Sequence, residues 1–581
     1  MESSKAQQVD VAIIGAGWYG LVAARNYLRL RPAANLLIID SDSTVGGVWS
    51  KDRLYPNLVA QVRLGLFNYS DTAMPPKDSN HKDSSVTGKM IYNYLQKYAE
   101  DHDLLRRTRF NTFVESAKQC PGGWRLAFRD SGDIVEAEKL LVATGVTSVM
   151  HMPKFEDEDD ASIPIIHSRD LGTSFKALEN EVVQRVVVVG AAKSAYDTVY
   201  LLLGMGKKVT WVIRSGGAGP LAILPFKVLN MLNTIAVAST RLMTHLSPSI
   251  LNTQGPLYWL FQRTPLGRWC TGRFWDFLDY VSGVHAGYGM GDHVSMLTPE
   301  IDRQSVFWAH SGLGVVTLPD FWATLHGPNL TIIRDEIRTI KERAVYLKSG
   351  SILETDYAVM CTGWGDHFGM FDDHHKAKIG LPAYGEDIYS FSDNLEKTLG
   401  PDWERYDAVA EKLVREKLPF LATSPNVKQP SLLDPRRQKK WRLYRRVIPV
   451  TLAEKGDRSI AILGQIHTVQ TPLVSEVQSF WAILYLLGEI DLPDVDSMAT
   501  EVALWNAWTR KRYLNQGQKF PYSLYDFLPY IDSLFGDLGL ESRRKSNPIA
   551  EIFSPYHPHD FNGFVDEYLA KREAMQTDSK V

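Results

Sequence analysis

The chain has 581 residues, enough for about three or four domains. Its apolar fraction of 44% and charged fraction of 23% are typical of a globular protein with a large core. The formal net charge of −3 and the lack of a long basic run argue against a nucleic-acid-binding protein.

The first predicted element is a buried strand at Val9–Ile14, followed at once by a glycine-rich turn and a helix. Gly15, Gly17 and Gly20 form the G-x-G-x-x-G pattern of a dinucleotide-binding turn. Gly15 suits the tight turn, Gly17 lets the backbone approach a pyrophosphate, and Gly20 allows the helix to pack closely on the strand. The helix N-terminus offers free N–H groups to the phosphates. The pattern predicts a Rossmann-type nucleotide site.

A second strand, Leu36–Ile39, runs directly into Asp40. A carboxylate at this position accepts hydrogen bonds from ribose hydroxyls and repels a 2′-phosphate. We therefore expect the first site to take FAD or NAD rather than NADP. Strand, turn, helix, strand and acid occur in the order that a true site requires, which makes the signal strong.

A second nucleotide motif begins with a buried strand predicted at Arg185–Val189. The turn that follows, Gly190 to Ala195, carries alanine where the first motif has its second and third glycines. Ala195 is a common variant of the third position, whereas the methyl group of Ala192 stands where the backbone should contact phosphate. On its own, this turn is equally compatible with a simple strand–helix connection.

The strand after this turn, Val209–Ile213, ends in Arg214 instead of an acid. An arginine at this point pairs with a 2′-phosphate, which favours NADPH over NADH. Its alternative role is a solvated charge at the end of a strand. Lys193 and Ser194, at the start of the intervening helix, are expected to add phosphate contacts. Together these residues predict a second site that prefers NADPH.

Two sites in this order predict an α/β protein with two Rossmann-type, doubly wound domains, the NADPH-binding domain being inserted into the FAD-binding domain, with extra helical segments. Ala143–Thr144 and Thr362–Gly363 each follow an apolar strand, so we expect them to mark the crossing points and to contact the cofactors. The segment 460–464 is the expected strand that returns to the flavin. The predicted division is residues 1–175 and 361–495 for the two parts of the FAD-binding domain, 176–360 for the NADPH-binding domain with a helical insertion at about 218–310, and 496–581 for a C-terminal extension.

These motifs, with Gly46-Gly47-Val48-Trp49 after the first and Ser475-Glu476-Val477-Gln478 late in the chain, resemble the flavin-containing monooxygenase family, the class B flavoprotein monooxygenases. The resemblance covers roughly residues 8–490 in scattered motifs, and the C-terminal part is similar to that of fungal members from secondary metabolism. It implies bound FAD, with Gly47, Val48 and Trp49 among its contacts, and NADPH as the hydride donor.

The resemblance also implies a reaction: one oxygen atom from O2 passes through a C4a-peroxyflavin into a bulky, largely apolar small molecule, with natural-product biosynthesis as the expected setting. N- or S-oxidation, hydroxylation and epoxidation all stay open. Two alternatives are a Baeyer–Villiger monooxygenase and a non-catalytic regulatory protein that binds flavin and NADPH. A flavin disulfide reductase is disfavoured because Cys120, Cys270 and Cys361 lie far apart.

The chain departs from the family at two places. Of the family fingerprint F-x-G-x-x-x-H-x-x-x-F/Y, only His167 remains, since Ala161, Ile163 and Leu171 occupy the other positions. A lone histidine near a domain hinge is more often structural than catalytic. Many members place an asparagine beside the flavin, and Gln61 stands there in this chain. Gln61 keeps the amide on a side chain one methylene longer, so it is the candidate catalytic residue facing the flavin.

The predicted insertion is rich in large apolar side chains. We expect them to line a pocket for a bulky apolar substrate or to form a surface that contacts a membrane, with ordinary core packing as the alternative for each residue. The C-terminal extension is also aromatic, and the sequence does not choose between a cover over the site and a subunit contact. The residues singled out in the insertion are Trp259, Phe261, Trp269, Phe274, Trp275, Tyr280 and Met290.

The location of the protein is predicted from its termini and cysteines. The segment Met1–Gln8 is short and polar, so neither a signal peptide nor a transit peptide is recognised. Three scattered cysteines are typical of a reducing compartment, and no run of about 18 apolar residues is present. We expect a cytoplasmic protein, leave peripheral membrane contact open, and predict neither a metal site nor an oligomeric state.

Overall fold

The computed structural model describes residues 6–76, 85–156, 160–229, 231–291, 293–382 and 400–578. The described strands, numbered here in chain order, are β1 Gln7–Ile14, β2 Leu36–Ile39, β3 Val59–Arg63, β4 Ser85–Thr87, β5 Thr108–Arg109, β6 Val114–Cys120, β7 Gly123–Phe128, β8 Ile134–Val142, β9 Ile165–His167, β10 Arg185–Val189, β11 Lys208–Ile213, β12 Ala222–Pro225, β13 Lys227–Val228, β14 Leu232–Asn233, β15 Leu313–Val316, β16 Leu330–Arg334, β17 Ile337–Lys341, β18 Ala344–Leu347, β19 Ile352–Glu354, β20 Tyr357–Met360, β21 Leu443–Tyr444, β22 Ile448–Pro449 and β23 Ile460–Ile462.

The α-helices of the described residues surround these strands. They are α1 Trp18–Leu30, α2 Gly88–Asp101, α3 Leu171–Glu179, α4 Lys193–Gly204, α5 Thr234–Ala238, α6 Arg241–Leu246, α7 Gly255–Tyr258, α8 Pro265–Ala286, α9 Ser305–Trp308, α10 Phe321–Leu325, α11 Asp373–Lys378, α12 Trp403–Lys417, α13 Val450–Glu454, α14 Thr471–Leu486, α15 Val495–Lys519, α16 Phe527–Asp537, α17 Pro548–Phe553 and α18 Phe564–Asp578.

The first sheet has seven strands in the order β5-β2-β1-β8-β7-β6, with β23 added alongside β8. Strand β1 pairs in parallel with both β2 and β8. Its buried side chains pack into two hydrophobic clusters, Val11 and Ile13 into one and Val9, Ala12 and Ile14 into the other. A sheet covered on both faces requires a continuous apolar strand, which is the pattern that the sequence shows here.

The second sheet contains five parallel strands in the order β16-β11-β10-β20-β9. All five come between β8 and β23 in the chain, and β23 returns to pair in parallel with β8 of the first sheet. One Rossmann-type unit is therefore inserted into another, as the sequence predicts. The division at residue 175 stays a prediction, and β9, which precedes it, pairs with β20 of the second sheet.

The C-terminal extension packs into the molecule rather than standing apart from it. Trp505 and Trp508 of α15 are almost fully buried. The Nε1–H of Trp508 donates a hydrogen bond of 2.8 Å to the carbonyl of Pro248 in the insertion. The extension and the insertion are thus neighbours, although about 260 residues separate the two partners. None of the helices that the structure describes combines the length and the apolar character needed to cross a bilayer.

Candidate active site

A cavity of about 740 Å³ opens at the carboxyl ends of the parallel strands of the first sheet, and we call it the cleft. Ligands of open α/β sheets bind at this edge, beside the turns that follow the strands. The cleft brings together Gly15, Gly17, Asp40, Gly47, Val48, Trp49, Gln61, Ala143, Thr144 and Lys193 from the predicted site residues.

The first glycine turn is packed backbone against backbone. Gly15 has φ of +111°, and a methyl group built on it would lie 2.4 Å from the carbonyl oxygen of Ala143. A methyl group on Gly20 would lie 1.8 Å from the carbonyl oxygen of Gly15. Gly17 precedes α1 and borders the cleft, so the free N–H groups of that helix face the cavity. The turn has the shape that a pyrophosphate needs.

The Gly46–Trp49 segment lies against this turn. The N–H of Gly46 donates to the carbonyl of Ala16 at 2.9 Å. A methyl group on Gly47 would come within 3.3 Å of the Gly17 Cα, so the close approach of the two segments favours glycine at position 47. Val48 is 42% exposed and Trp49 is half-buried, and both border the cleft.

Asp40 is buried at the edge of the cleft. Its carboxylate accepts hydrogen bonds from the N–H of Ala16 at 2.6 Å and from the N–H of Asp42 at 2.8 Å. Burial raises the pKa of Asp40 to about 6, against the lowering effect of these two hydrogen bonds. A carboxylate has about four acceptor positions, so Asp40 keeps the capacity to accept from a ribose hydroxyl.

Two arginines that the sequence did not single out neutralise the neighbouring acid. Asp42 pairs with Arg53 at 2.9 Å and with Arg169 at 3.1 Å. Arg53 also borders the cleft, so this end of the cavity combines a glycine turn with a cation. No local motif marks either arginine, because the three partners come from separate segments of the chain.

Several buried polar atoms beside the cleft have no hydrogen-bond partner among the described residues. The Oγ1 of Thr144 and the indole Nε1 of Trp18 are two of them. A buried polar group without a partner costs about 1–3 kcal/mol, so a polar ligand at this position would stabilise the folded chain. The glycine turn, Asp40 and these unpaired atoms together fit a flavin dinucleotide.

The second glycine turn contributes less to the cleft. Gly190 has φ of +136°, and a methyl group on it would lie 2.3 Å from the carbonyl oxygen of Cys361. Close packing against this carbonyl therefore requires glycine at position 190. Lys193 borders the cleft and forms an ion pair with Asp197 one helical turn later. Gly190, Ser194 and Arg214 lie outside the residues that line the cleft, and Arg214 is exposed at the end of β11.

Gln61 lies in the cleft between the two nucleotide folds. Its Oε1 accepts a hydrogen bond of 2.6 Å from the N–H of Val315 in β15. A methyl group built on Gly314 would lie 3.6 Å from this Oε1 and 3.5 Å from the Lys193 Cδ. Gln61 therefore links β3 to β15 through this hydrogen bond. The contact lies close to Lys193, the residue predicted for the NADPH site that lines the cleft.

Thr362, Gly363 and His167 hold the crossing segments together outside the cleft lining. The hydroxyl of Thr362 donates to the carbonyl of His151 at 2.6 Å. The Nε2–H of His167 donates to the carbonyl of Gly363 at 3.0 Å, and its Nδ1 accepts from the N–H of Arg169 at 3.2 Å. Burial lowers the pKa of His167. These contacts describe a neutral, structural histidine, which is the role that the sequence favours.

The cleft also has an apolar wall. None of the seven large side chains singled out in the insertion lines it, so that expectation is wrong for the pocket. Trp275 is fully buried, whereas Trp259, Trp269, Tyr280 and Met290 are more than half exposed. The insertion does supply this wall, through smaller residues that carry no motif. They are Leu224, Val228, Ile235, Ala238, Met243 and Leu278.

The C-terminal extension completes the apolar wall. Leu524 and Tyr525 border the cleft. The ring of Tyr522 stacks on the ring of His467, with centroids 4.8 Å apart and planes 10° apart. Burial lowers the pKa of His467 to about 4, so this ring is neutral at physiological pH. The extension thus covers the site, one of the two roles that the sequence left open.

The late Ser-Glu-x-Gln motif lies in α14, which begins beside the cleft at Thr471. The Oε1 of Gln478 accepts from the N–H of Gly464 at 2.8 Å, and its Nε2–H donates to the Tyr530 hydroxyl at 2.6 Å. Glu476 accepts from the N–H and hydroxyl of Ser70 at 2.8 and 2.9 Å. Gln478 therefore fixes the backbone at Gly464, which lines the cleft, and Glu476 fixes the backbone at Ser70.

A family model described as pyridine nucleotide-disulphide oxidoreductase matches residues 12–228. All three cysteines of the chain lie in described residues and all are free. The match therefore reflects the nucleotide-binding fold, and the three free cysteines do not form the redox disulfide of a disulfide reductase.

Two fungal proteins are similar to the chain over nearly its whole length. The FAD-dependent monooxygenase DEP4 of Alternaria brassicicola is 41% identical over 97% of this chain and 95% of that protein. The FAD-dependent monooxygenase resA of Aspergillus sclerotiorum is 37% identical over 97% and 99%. A crystal structure of cyclohexanone monooxygenase from Rhodococcus sp. Phi1 bound to NADP+ has a TM-score of 0.56 at 15% identity, covering 92% of this chain and 98% of that one, which shows a shared fold.

Proposed function

The chain belongs to the FAD-dependent monooxygenases, and we propose that it uses NADPH to insert one oxygen atom from O2 into a bulky, largely apolar small molecule. FAD in the first nucleotide fold supplies the oxygen chemistry when bound. The chain itself binds the two nucleotides, orients the substrate and excludes water.

One observation carries this proposal: a single cleft combines a nucleotide cradle with an apolar wall. Gly15 and Gly17 belong to the cradle, and Met243, Leu278 and Tyr525 belong to the wall. A pocket lined by apolar side chains takes apolar ligands and excludes the water that would divert the oxygen chemistry to hydrogen peroxide.

The preference for NADPH is proposed on charge. Arg214 stands at the exposed end of β11, where a Rossmann fold reads the ribose of its nucleotide. Its guanidinium matches a 2′-phosphate, and Lys193 and Ser194 at the start of α4 supply further donors.

Gln61 is proposed to face the flavin and to hold its own position through Val315. Because its Oε1 is engaged by that N–H, the side-chain amide N–H groups are the atoms available to a bound cofactor or to oxygen. Replacement by Leu removes both functions, whereas Gln61→Glu keeps an acceptor for Val315 and loses the amide donors. Slow substrate oxidation in both variants would support a role for the amide N–H groups of Gln61. Slow oxidation in Gln61→Leu alone would support a role for the hydrogen bond that the side chain accepts from Val315.

The experiment that tests the proposal is anaerobic reduction of the purified yellow protein by NADPH and by NADH, followed by oxygen and an apolar probe. We expect faster reduction by NADPH and one oxygen atom in the product for each NADPH consumed. An aryl thioether and a cyclic ketone serve as probes, since a sulfoxide indicates heteroatom oxidation and a lactone indicates Baeyer–Villiger insertion. Bound FAD that NADPH does not reduce would contradict the proposal and favour the regulatory alternative.

A further inference from the structure

The outer face of the long helix α8 carries large apolar side chains in contact with water. Leu266, Trp269, Phe277, Tyr280 and Val284 are 66%, 61%, 40%, 69% and 62% exposed. Their spacing, with Arg273 between them, places all of them on one face of the helix. This stripe is about five turns long, whereas monomeric proteins usually scatter their exposed apolar residues singly.

The opposite face of α8 explains why the helix is held in this orientation. Trp275 is fully buried, and its Nε1–H donates to the carbonyl of Leu246 at 2.8 Å. The hydroxyl of Ser282 donates to the carbonyl of Ile223 at 2.8 Å. Leu278, on the same buried face, lines the cleft. One helix therefore has its inner face at the proposed substrate pocket and its outer face in solvent.

The exposed surface continues beyond α8 at both ends. A π-helical turn at Trp259–Arg263 precedes the helix, and within it Trp259 is 62% exposed and Leu260 39%. After the helix, Met290 is 85% exposed. We call this combined surface, from residue 259 to residue 290, the α8 face. More than half of the large apolar side chains that are exposed in the described residues lie between residues 229 and 296.

The α8 face carries more cations than acids. Arg263 and Arg273 are exposed. Arg273 forms an ion pair of 2.9 Å with Asp276, whose side chain is 34% exposed, whereas Asp279 turns toward the protein. Asp276 accepts from the Nε2–H of Gln304 at 2.8 Å, and Asp279 accepts from the N–H of Val306 at 3.2 Å. An apolar surface with exposed cations complements an anionic surface. Two copies of this face would bring two surfaces of net positive charge together, which disfavours self-association.

We propose that the α8 face docks on the surface of an anionic lipid bilayer. Tryptophan and tyrosine side chains favour the depth of the lipid headgroups, and Leu266, Phe277 and Val284 enter the adjoining acyl region. Arg263 and Arg273 contact lipid phosphates and carboxylates. The surface holds the chain beside the phase into which apolar substrates partition, with α8 between the lipid and the cleft. This inference concerns docking and does not depend on which reaction the cleft performs.

The test is flotation of the full-length, FAD-loaded protein with two kinds of vesicle, phosphatidylcholine alone and phosphatidylcholine mixed equally with phosphatidylserine. We expect binding to the mixed vesicles, weakened by added salt because surface charges are screened. Trp259→Ser combined with Trp269→Ser should reduce the partition coefficient by roughly tenfold or more. Arg263→Gln and Arg273→Gln should each reduce it by about fivefold on the mixed vesicles only.

A matched control removes exposed apolar surface elsewhere. Ile549 and Phe553 of α17 are 73% and 59% exposed, so Ile549→Ser combined with Phe553→Ser should leave vesicle binding unchanged. NADPH oxidation in solution shows whether each variant is folded. A wild-type protein that floats with neither vesicle would overturn the proposal. A dimer that the tryptophan substitutions dissociate, without vesicle binding, would overturn it in favour of a second copy as the partner.

A second readout locates the lipid on the helix. Cys270 is exposed on the α8 face, Cys361 is buried, and Cys120 is half-buried. In a Cys120→Ser background, an environment-sensitive fluorophore on Cys270 should shift to the blue with mixed vesicles. An unshifted spectrum for vesicle-bound protein would place the docking surface elsewhere and overturn the proposal.

Discussion

The two nucleotide folds of this chain share a core of four parallel strands but differ in how closely they surround a ligand. In the first, Gly15, Gly17 and Gly47 all border the cleft. In the second, only Lys193 and Asp197 from the turn and its helix reach the cleft, and Arg214 is exposed. Ala192 and Ala195 replace two of the glycines.

The difference indicates two kinds of binding. A fold that encloses its ligand between two glycine segments suits a cofactor that stays bound, because close backbone contacts slow dissociation. A fold that is open and reads its ligand by charge suits a substrate that enters and leaves in each cycle. Substitutions in the two glycine turns and at the strand ends distinguish these two kinds of binding.

Gly20→Ala should abolish FAD retention and destabilise the chain by about 3 kcal/mol or more, because the added methyl group would lie 1.8 Å from the Gly15 carbonyl oxygen. The second fold tolerates a methyl group at the same position, since Ala195 is fully buried there. Thermal unfolding and flavin absorbance after gel filtration measure both effects. Gly204→Ala, in the helix of the second fold with open space around it, is the control and should leave both unchanged.

Glu476→Gln should flatten the pH dependence of stability. Burial raises the pKa of Glu476 from 4.5 to about 7. The folded state therefore holds its proton more tightly than the unfolded state, and the wild type loses stability as pH rises from about 4.5 through about 7. The loss attributable to this group is at most about 3 kcal/mol. Urea unfolding of both proteins at pH values across this window measures it, and equal slopes would contradict the assignment.

Arg214→Ala should raise the KM for NADPH by about 10- to 100-fold and leave the KM for NADH nearly unchanged, because a hydrogen bond to a charged group contributes about 1.5–3 kcal/mol. Steady-state oxidation of the two nucleotides measures the ratio. Lys208→Ala removes an exposed cation from the start of the same strand and should change neither value. If both KM values rose together in Arg214→Ala, the arginine would serve the fold and not the 2′-phosphate.

Ala192→Gly should lower the KM for NADPH by about threefold, since it restores close backbone approach at the start of α4. The mirror change, Gly17→Ala, adds a methyl group only 3.6 Å from the Gly47 Cα, an ordinary contact. It should therefore weaken FAD binding while the chain still folds. Nucleotide titration by fluorescence measures both, and an Ala192→Gly protein that binds NADPH no better would show that the second site does not rely on this backbone contact.

Local motifs predicted the nucleotide folds well because each motif is a continuous stretch of chain. The strands at residues 36–39 and 185–189 occur as predicted, and the order of the motifs predicted the insertion of one fold into the other. Helix α14 begins at Thr471, four residues before the Ser475–Gln478 motif, so the motif lies within the helix and not at its start. The roles of the individual site residues stay predictions.

Residues of the cleft that come from distant segments could not be predicted in this way. The pairing of Asp42 with Arg53 and Arg169, and the approach of Tyr525 to the cleft, join positions that no spacing rule connects. Helix α8 is apolar on both faces, so its periodicity cannot say which face is buried. The aromatic density of the insertion was therefore no guide to the pocket, which smaller residues line instead.

The two strand–turn–helix units, their order and the charge at the end of each second strand could all be predicted from local sequence, because they depend on backbone geometry within some 30 residues. The residues that form the apolar wall and the side of α8 that meets solvent became known only from the packing of the folded chain. Those outcomes depend on contacts between chain segments hundreds of residues apart, such as the hydrogen bond from Trp508 to Pro248 that joins the extension to the insertion. Hydrophobic burial drives such contacts without direction, so they leave no local pattern in the chain.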